Sequence, residues 1–246
     1  MIKKVYVLML SFFVLAACRS GGSIAGPGQD SSRFYVDFGK GVDALERNDY
    51  ATAIHFFKLA VAEKPDSAKA LNLRGVAYLM SGKIHEARAD FEKVIGLDPA
   101  YGPAYQNLGC TLVKEMKLAE AEAVLRQALD RFPASASAYF TLGSILIFQN
   151  RTDEAMAMMR KGLELDPAYF STEKKYAAES ELLGADRPEL FFSYARLFAA
   201  AGNAEKTVEY LRRAKKAGFT DWRRIRTLSD FDPVRDDPAV KEFLKL

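Results

Sequence analysis

Residues of three types recur at intervals of 34 along most of this 246-residue chain. Four glycines, four alanines and four prolines keep one register, each glycine twelve residues before its alanine and each proline twelve residues after it. They are Gly41, Gly75, Gly109 and Gly143, then Ala53, Ala87, Ala121 and Ala155, then Pro65, Pro99, Pro133 and Pro167. A period of this length, with helix-forming residues between the markers, is typical of a solenoid of stacked helical pairs.

The residues at and around these markers explain why each unit forms a helical pair. Glycine in the first helix and alanine in the second let the two backbones cross closely, while larger apolar residues lie three or four positions away on the same face. Each proline stands where the second helix must end, because proline lacks the backbone N–H for an interior hydrogen bond. Helix-breaking pairs mark the turns inside the hairpins: Asn48-Asp49, Ser81-Gly82 and Gln149-Asn150.

This pattern resembles the tetratricopeptide repeat, which implies an all-α fold, a right-handed superhelical solenoid of helix-turn-helix repeats. The expected repeats are residues 34–67, 68–101, 102–135 and 136–169. After these the register breaks, and residues 170–187 are expected to form an inserted helix. Residues 188–219 are expected to be a degenerate fifth repeat, with Ala195 and Thr207 in place of the glycine and the alanine. Residues 220–246 carry scattered apolar side chains, which predicts a C-terminal cap on the stack.

Residues 1–17 have the features of a targeting segment. Lys3 and Lys4 precede an apolar run of 13 residues, which is too short to span a bilayer. The run ends Leu15-Ala16-Ala17-Cys18, and this resembles the lipobox of bacterial lipoproteins. The resemblance implies cleavage before Cys18 and acylation there, for example with palmitate; a plain secretory signal and an uncleaved anchor are the alternatives. Residues 18–33, rich in Gly and Ser, would then be a lipidated flexible tether.

The residue after the cysteine bears on the membrane that holds the protein. In enterobacteria-like systems an Asp there favours the inner membrane, whereas this chain has Arg19. We therefore expect attachment to the outer membrane, facing the periplasm, or to the outer face of the cytoplasmic membrane in a Gram-positive organism. The net charge is +3, or +1 without Lys3 and Lys4, and does not favour a nucleic-acid partner. Basic clusters at 212–216 and 223–226 favour a solvated face, with anionic lipid or an acidic partner as the alternative.

The sequence shows no pattern of catalytic or metal-binding residues, so we expect neither an enzyme nor a cofactor or small-molecule substrate. His55 and His85 fall at positions expected to face solvent, without a second ligand spaced for a metal. Cys110 is expected to be a buried thiol, because the sequence places no histidine near it that could act as a base.

In the resembled family the first helices line a concave face that receives an extended peptide or a partner helix. The residues expected to line this groove are Phe38, Val42, Asn72, Val76, Gln106, Phe140, Ser144, Ile147 and Phe192, with Leu45, Leu79, Cys110 and Val113 beside them. They are mostly apolar with a few amides, which favours a protein partner. Packing against the inserted helix or the C-terminal tail is the alternative.

Together these features predict a lipid-anchored, non-enzymatic scaffold for protein–protein interaction in the bacterial cell envelope. The chain is similar in plan to the pilotins of type IV pilus systems, which implies an assembly factor for an envelope machine. An adaptor that docks envelope enzymes, such as peptidoglycan hydrolases or proteases, would need the same tether and groove and is the alternative.

Overall fold

The computed structural model describes residues 31–170 and 187–245, and the regular elements in these two stretches are all helical. The α-helices are α1 (Ser31–Glu46), α2 (Tyr50–Glu63), α3 (Ala68–Met80), α4 (Ile84–Leu97), α5 (Gly102–Lys114), α6 (Leu118–Arg131), α7 (Ala136–Phe148), α8 (Thr152–Leu165), α9 (Pro188–Ala200), α10 (Ala204–Lys216), α11 (Arg224–Thr227) and α12 (Pro238–Lys245). Helices α1 to α10 form five antiparallel pairs, and α2 to α8 each pack on the next helix along the chain. The prediction of an all-α solenoid of helical pairs is confirmed.

The recurring glycines are the points of closest approach within the first four pairs. A Cβ added at Gly41 would lie 2.7 Å from the ring of Phe57, and one at Gly143 would lie 2.6 Å from Cγ of Met159. Gly75 faces Phe91 and Gly109 faces Leu125 in the same way, always sixteen residues further along. Contacts this short leave no room for a side chain at these positions. The 34-residue period is therefore a period of backbone-to-side-chain packing.

Prolines and left-handed residues set the ends of the helices. The second helices of the first four pairs end at Glu63, Leu97, Arg131 and Leu165, each two residues before its proline. Inside the hairpins a residue with positive φ reverses the chain: Asn48, Gly82, Met116, Asn150 and Gly202. Four of these are Asn or Gly, which tolerate the left-handed region, whereas Met116 does not share that chemistry.

A charge cluster joins the second pair to the third. The guanidinium of Arg88, in α4, donates to Glu92 on its own helix at 2.7 Å, to Glu115 at 2.9 Å and to Glu120 at 3.3 Å. Lys117 lies 2.8 Å from the same Glu115 carboxylate, whose side chain is only 7% exposed. Hydrogen bonds from Lys117 and then Arg88 hold the pKa of Glu115 below its usual value, although burial opposes the shift.

The next interface carries a cluster at the equivalent positions with some of the charges exchanged. Glu122 and Arg126 stand 34 residues after Arg88 and Glu92, so acid and base have changed places on the second helix. Arg151, in the following turn, lies 2.6 Å from Glu122 and 2.6 Å from Glu154, and Arg126 lies 2.7 Å from Glu122. Both interfaces are thus joined by ion pairs, but with different partners.

The fifth pair, α9 and α10, packs on α7 and α8 and is covered in turn by the C-terminal segment. The ring of Phe192, in α9, stacks on Phe219 with centroids 4.1 Å apart and contacts Phe231 at 5.7 Å. Arg196, almost fully buried, donates from Nε to Asp230 at 2.8 Å, and its Nη2 lies 2.7 Å from the same oxygen. Because residues 219 to 231 supply these contacts, they cover the side of α9 that would otherwise continue the groove.

Two predicted segments lie outside the described residues. One holds the targeting segment with Cys18 and most of the predicted tether. The other is the predicted inserted helix, of which 171–186 fall outside and only residues 170 and 187 are described. Within the described stretches, no helix combines the length and apolar character needed to cross a membrane.

Candidate partner-binding surface

The predicted groove is most open at its N-terminal end. Phe38 and Val42, one turn apart on α1, are partly exposed while their inner edges pack on the core. The ring of Phe38 contacts Phe57 at 5.9 Å on one side, and Lys69 Nζ lies 5.6 Å from the centre of its ring. Helix α1 is the first helix of the described stretch, so no described helix precedes it to cover its outer side. An apolar partner can therefore reach these two side chains.

The middle of the groove is closely packed and polar at two points. Asn72 and Val76, in α3, are buried, and Asn72 Oδ1 accepts a hydrogen bond from Asn107 Nδ2 at 3.0 Å. Gln106 remains partly exposed, and its Nε2 donates to Ser137 Oγ at 2.6 Å. These amides tie α3, α5 and α7 together. A partner can thus reach Gln106, whereas the assignment of Asn72 and Val76 to the partner-binding groove was wrong because both are buried.

The C-terminal part of the predicted groove is not open. Phe140, Ser144 and Phe192 are each 0% exposed, and Ile147 is buried as well. Ser144 Oγ lies 3.1 Å from the Tyr194 hydroxyl, within hydrogen-bonding distance, and donates to the Phe140 carbonyl at 3.0 Å. The assignment of these four residues to a partner-binding groove was wrong, because they pack against the chain itself. The alternative of self-packing holds for this end.

The physical reason is an aromatic cluster that the 34-residue period does not contain. Tyr169 stacks on Phe140 with centroids 4.3 Å apart, and Phe170 meets the same ring edge-on at 4.8 Å. Phe170 in turn contacts Tyr194 at 5.2 Å and Phe198 at 5.1 Å, both in α9. These rings join the fourth pair to the fifth across the break in register. They fill the space that a bound peptide would need.

Sequence reasoning missed part of the open surface on α1. Tyr35 is 57% exposed and Val36 is 49% exposed, the two most exposed large apolar residues in this helix. Tyr35 lies one turn before Phe38 and two turns before Val42, so the three form one strip, here called the N-terminal strip. The run Phe34-Tyr35-Val36 was the available signal, because three successive apolar residues cannot all face one side of a helix.

A shallow pocket adjoins the N-terminal strip. Its volume is about 500 Å³, and it is lined by Phe34 and Tyr35 together with residues 64–67 of the turn between α2 and α3. The Lys64 ammonium lies 4.5 Å from the Phe34 ring centre and 4.8 Å from that of Tyr35. Since Asp66 also lines the pocket, its walls are partly apolar and carry one positive and one negative side chain.

The residues predicted to have no catalytic role are placed as follows. Cys110 is buried in α5. His55 and His85 are both exposed, and Nδ1 of His85 lies 3.3 Å from Glu115. Within residues 31–170 and 187–245, no cluster of three or more His, Cys, Asp or Glu is arranged to hold a metal ion.

Comparison with known proteins agrees with the helical pairs and their spacing. Two profiles of the tetratricopeptide repeat family match the chain, one over residues 38–101 and the other over residues 112–171, and together they cover half of it. The chain is a tetratricopeptide repeat protein. The fifth pair lies beyond both matches, as expected of a repeat that has lost its marker glycine and alanine.

Solved structures of the same family show the same fold. MamA from Desulfovibrio magneticus RS-1 superposes with a TM-score of 0.53 at 18% identity, over 76% of this chain and 95% of that one. A thermophilic tetratricopeptide repeat protein from Thermus thermophilus superposes with a TM-score of 0.51 at 19% identity, over 88% and 100%. At this level of identity the likeness concerns the fold alone.

One curated relative shares a stretch of sequence. It is a probable UDP-N-acetylglucosamine–peptide N-acetylglucosaminyltransferase, SPINDLY, from Solanum lycopersicum, 32% identical over 84 residues. The match covers 34% of this chain but only 9% of that protein. The transferase activity belongs to a protein of which this chain spans about a tenth.

Proposed function

We propose that this tetratricopeptide repeat protein is a non-enzymatic scaffold that binds an apolar segment of another protein along the N-terminal strip. The observation that carries the proposal is the position of that strip, Tyr35, Phe38 and Val42, on a face of α1 that no other described element covers. The pocket with Lys64 adds a charged group beside the strip, and Gln106 offers a polar contact further along the concave face. An amphipathic helix or extended segment with bulky apolar residues and an acidic residue matches this chemistry.

We further propose that the protein is lipid-anchored at Cys18 in the bacterial envelope, on the periplasmic face of the outer membrane. The lipobox-like Leu15-Ala16-Ala17-Cys18 and the short apolar run before it support this. Two or three acyl chains, at ~0.8 kcal/mol for each buried CH₂, would make the attachment effectively permanent. Metabolic labelling with a palmitate analogue tests it: label should be lost in Cys18→Ala, and a labelled, membrane-bound Cys18→Ala protein contradicts the assignment.

Site-directed crosslinking tests the binding surface. A photoreactive residue placed at Tyr35 should crosslink a partner in cells, whereas one at Lys58, exposed on α2, should not. Phe38→Ala should reduce the crosslink at position 35 by roughly tenfold or more, as expected for an anchor residue at an interface. Equal crosslinking from positions 35 and 58, or no effect of Phe38→Ala, would place the interface elsewhere.

The identity of the crosslinked partner tests the role in assembly. We propose an assembly factor for an envelope machine, similar in plan to a pilotin, so the partner should be a structural component of a pilus or secretion system. A peptidoglycan hydrolase or a protease as the partner would instead support the role of an enzyme adaptor. Either partner would leave the scaffold function and the N-terminal strip supported, because these are tested by the crosslink at position 35 and not by the identity of the partner.

A further inference from the structure

Positive charge is concentrated at the C-terminal end of the stack. Residues 212–226 contain seven Lys or Arg and a single acid, Asp221, and so carry a net charge of +6. The whole chain carries +3, so the remainder of the chain carries −3. This segment comprises the last turn of α10, the loop after it and the beginning of α11. The segment is therefore strongly positive, although the C-terminal residues that follow it carry a net charge of −2.

Most of these cations have no acidic partner. Arg213 lies 2.6 Å from Glu209, and Arg224 lies 2.8 Å from Glu189. The other five are exposed and form no ion pair with any residue in the described part of the chain: Arg212, Lys215, Lys216, Arg223 and Arg226, here called the basic patch. By contrast, the arginines of the inter-repeat clusters, such as Arg88, each contact two or more carboxylates. Within the described residues, no carboxylate pairs with the basic patch, so an external anion can bind there.

Structural requirements account for only part of the basic patch. Cations in the last turn of a helix interact favourably with its dipole, which explains Lys215 and Lys216 at the end of α10. Arg223 and Arg226 lie beyond Gly218, whose φ of 98° ends that helix. A surface that serves solubility alone would intersperse acids among the bases. The run of one sign across two elements points to recognition of an anion.

An amphipathic aromatic residue lies inside the basic patch. Trp222 is partly exposed, and its ring contacts Phe219 at 4.9 Å and Phe243 at 5.2 Å. Lys215 Nζ lies 5.9 Å from the centre of the Phe243 ring. Phe243 therefore contacts both Lys215, in the last turn of α10, and Trp222, in the loop before α11. Trp at such a place is typical of the interface between water and lipid, where its ring lies at the level of the headgroups. A partly exposed indole beside exposed cations therefore matches an anionic bilayer surface, where charged headgroups lie next to apolar chains.

We propose that the basic patch, with Trp222, binds the phosphate headgroups of anionic phospholipids. This contact is reversible and salt-dependent, and it lies at the opposite end of the stack from α1, the helix that follows the tether. Each Lys or Arg near an anionic surface contributes about fivefold in binding. The contact goes beyond the proposed scaffold function and does not require the lipid at Cys18. Two attachments would hold the solenoid along the membrane and fix the direction that the N-terminal strip faces.

Vesicle binding of the mature chain without its lipid tests the proposal. Residues 18–246 with Cys18→Ser should sediment with vesicles of phosphatidylethanolamine and phosphatidylglycerol, but not with vesicles of phosphatidylcholine alone. Raising the salt to ~0.5 M, where screening shortens the Debye length to a few Å, should release the protein. Arg212→Gln, Lys216→Gln, Arg223→Gln and Arg226→Gln together should weaken binding at least ~10-fold.

A charge-matched variant is the control. Arg47→Gln, Lys58→Gln, Lys114→Gln and Arg131→Gln remove the same number of exposed cations elsewhere and should leave vesicle binding within about twofold of the parent. Equal loss in both variants, or no binding of the parent to phosphatidylglycerol, overturns the proposal. So does binding to polyglutamate in preference to vesicles, which would identify an acidic protein as the ligand. Because neither the acyl chain nor a partner protein is present, failure here is separate from failure of the anchor or of the N-terminal strip.

Discussion

At the two ends of the concave face, side chains at the same repeat position differ in their exposure. Phe38, Phe140 and Phe192 all lie three residues before the small residue of a first helix, yet Phe38 is partly exposed and the other two are fully buried. The difference comes from the neighbours of each repeat. Regular stacking leaves the side of α1 open, whereas Tyr169, Phe170 and the C-terminal segment cover α7 and α9. A repeat position therefore predicts the direction of a side chain but not its exposure.

The strongest test replaces the same residue type at the two ends. Phe140→Ala should lower the free energy of unfolding by about 3–5 kcal/mol, because it removes a ring packed on Tyr169 and Phe170. Phe38→Ala should cost roughly 1–2 kcal/mol, since half-exposed apolar surface contributes less. Urea unfolding followed by circular dichroism measures both. Equal losses of stability in the two variants would mean that Phe38 and Phe140 are equally buried, which would contradict the difference between the two ends.

The marker glycines should be packed equally tightly at the two ends of the stack, so that the two ends differ in the exposure of the groove alone. Gly41→Ala and Gly143→Ala should each destabilise by about 1–3 kcal/mol, because the new Cβ would lie within 2.7 Å of Phe57 or Met159. Gly39→Ala is the control, since no atom lies within 4 Å of its added Cβ, and it should stabilise by about 0.5–1 kcal/mol. Thermal unfolding in parallel compares the three. A large effect at one end only would contradict equal hairpin packing in the two halves.

The turn of the third pair offers a stabilising change between the two ends. Met116 holds φ at 61° and is 67% exposed, so it bears the cost of the left-handed region without a packing gain. Met116→Gly should raise the free energy of unfolding by about 0.5–1 kcal/mol, as Gly82 and Gly202 fill the equivalent sites. Gly82→Met is the reciprocal change and should lower it by a similar amount. Opposite signs in chemical unfolding are the expected result; a loss in Met116→Gly would show that its side chain packs.

The smallest expected effect concerns pH and the interface between the second and third pairs. Because Lys117 and Arg88 lower the pKa of Glu115, its charged form stabilises the fold above the usual value of 4.5, and this contribution is lost as the pH falls through the lowered value. Glu115→Gln should therefore cost about 0.2–1 kcal/mol near neutral pH and nothing in acid. The exposed Glu205→Gln is the control. A cost for Glu115→Gln that stays constant from pH 7 into acid would contradict this origin.

Much of the fold could be predicted because its contacts repeat with the chain. Gly75 faces Phe91 and Gly109 faces Leu125 by one local rule, so a period in the sequence is a period in space. The burial of Phe140 could not be predicted, since it depends on Tyr169 and Phe170, which lie at and beyond the end of the last regular repeat. Tyr35 is exposed because α1 has no described repeat before it. Sequence periodicity therefore does not predict burial that depends on residues outside the repeated pattern.

The exchange of charges between the two inter-repeat clusters bears on which surfaces can pair while the chain assembles. If the third pair of one molecule stacked on the third pair of another, Glu115 and Glu120 would face Glu122 in place of Arg88. Carboxylates would then oppose carboxylates, which disfavours that pairing. Repeat proteins are prone to swapping units between molecules, because their interfaces are alike. The charges at these two interfaces therefore favour the native neighbour of each pair, and they disfavour mixed stacking between copies of the chain at high concentration.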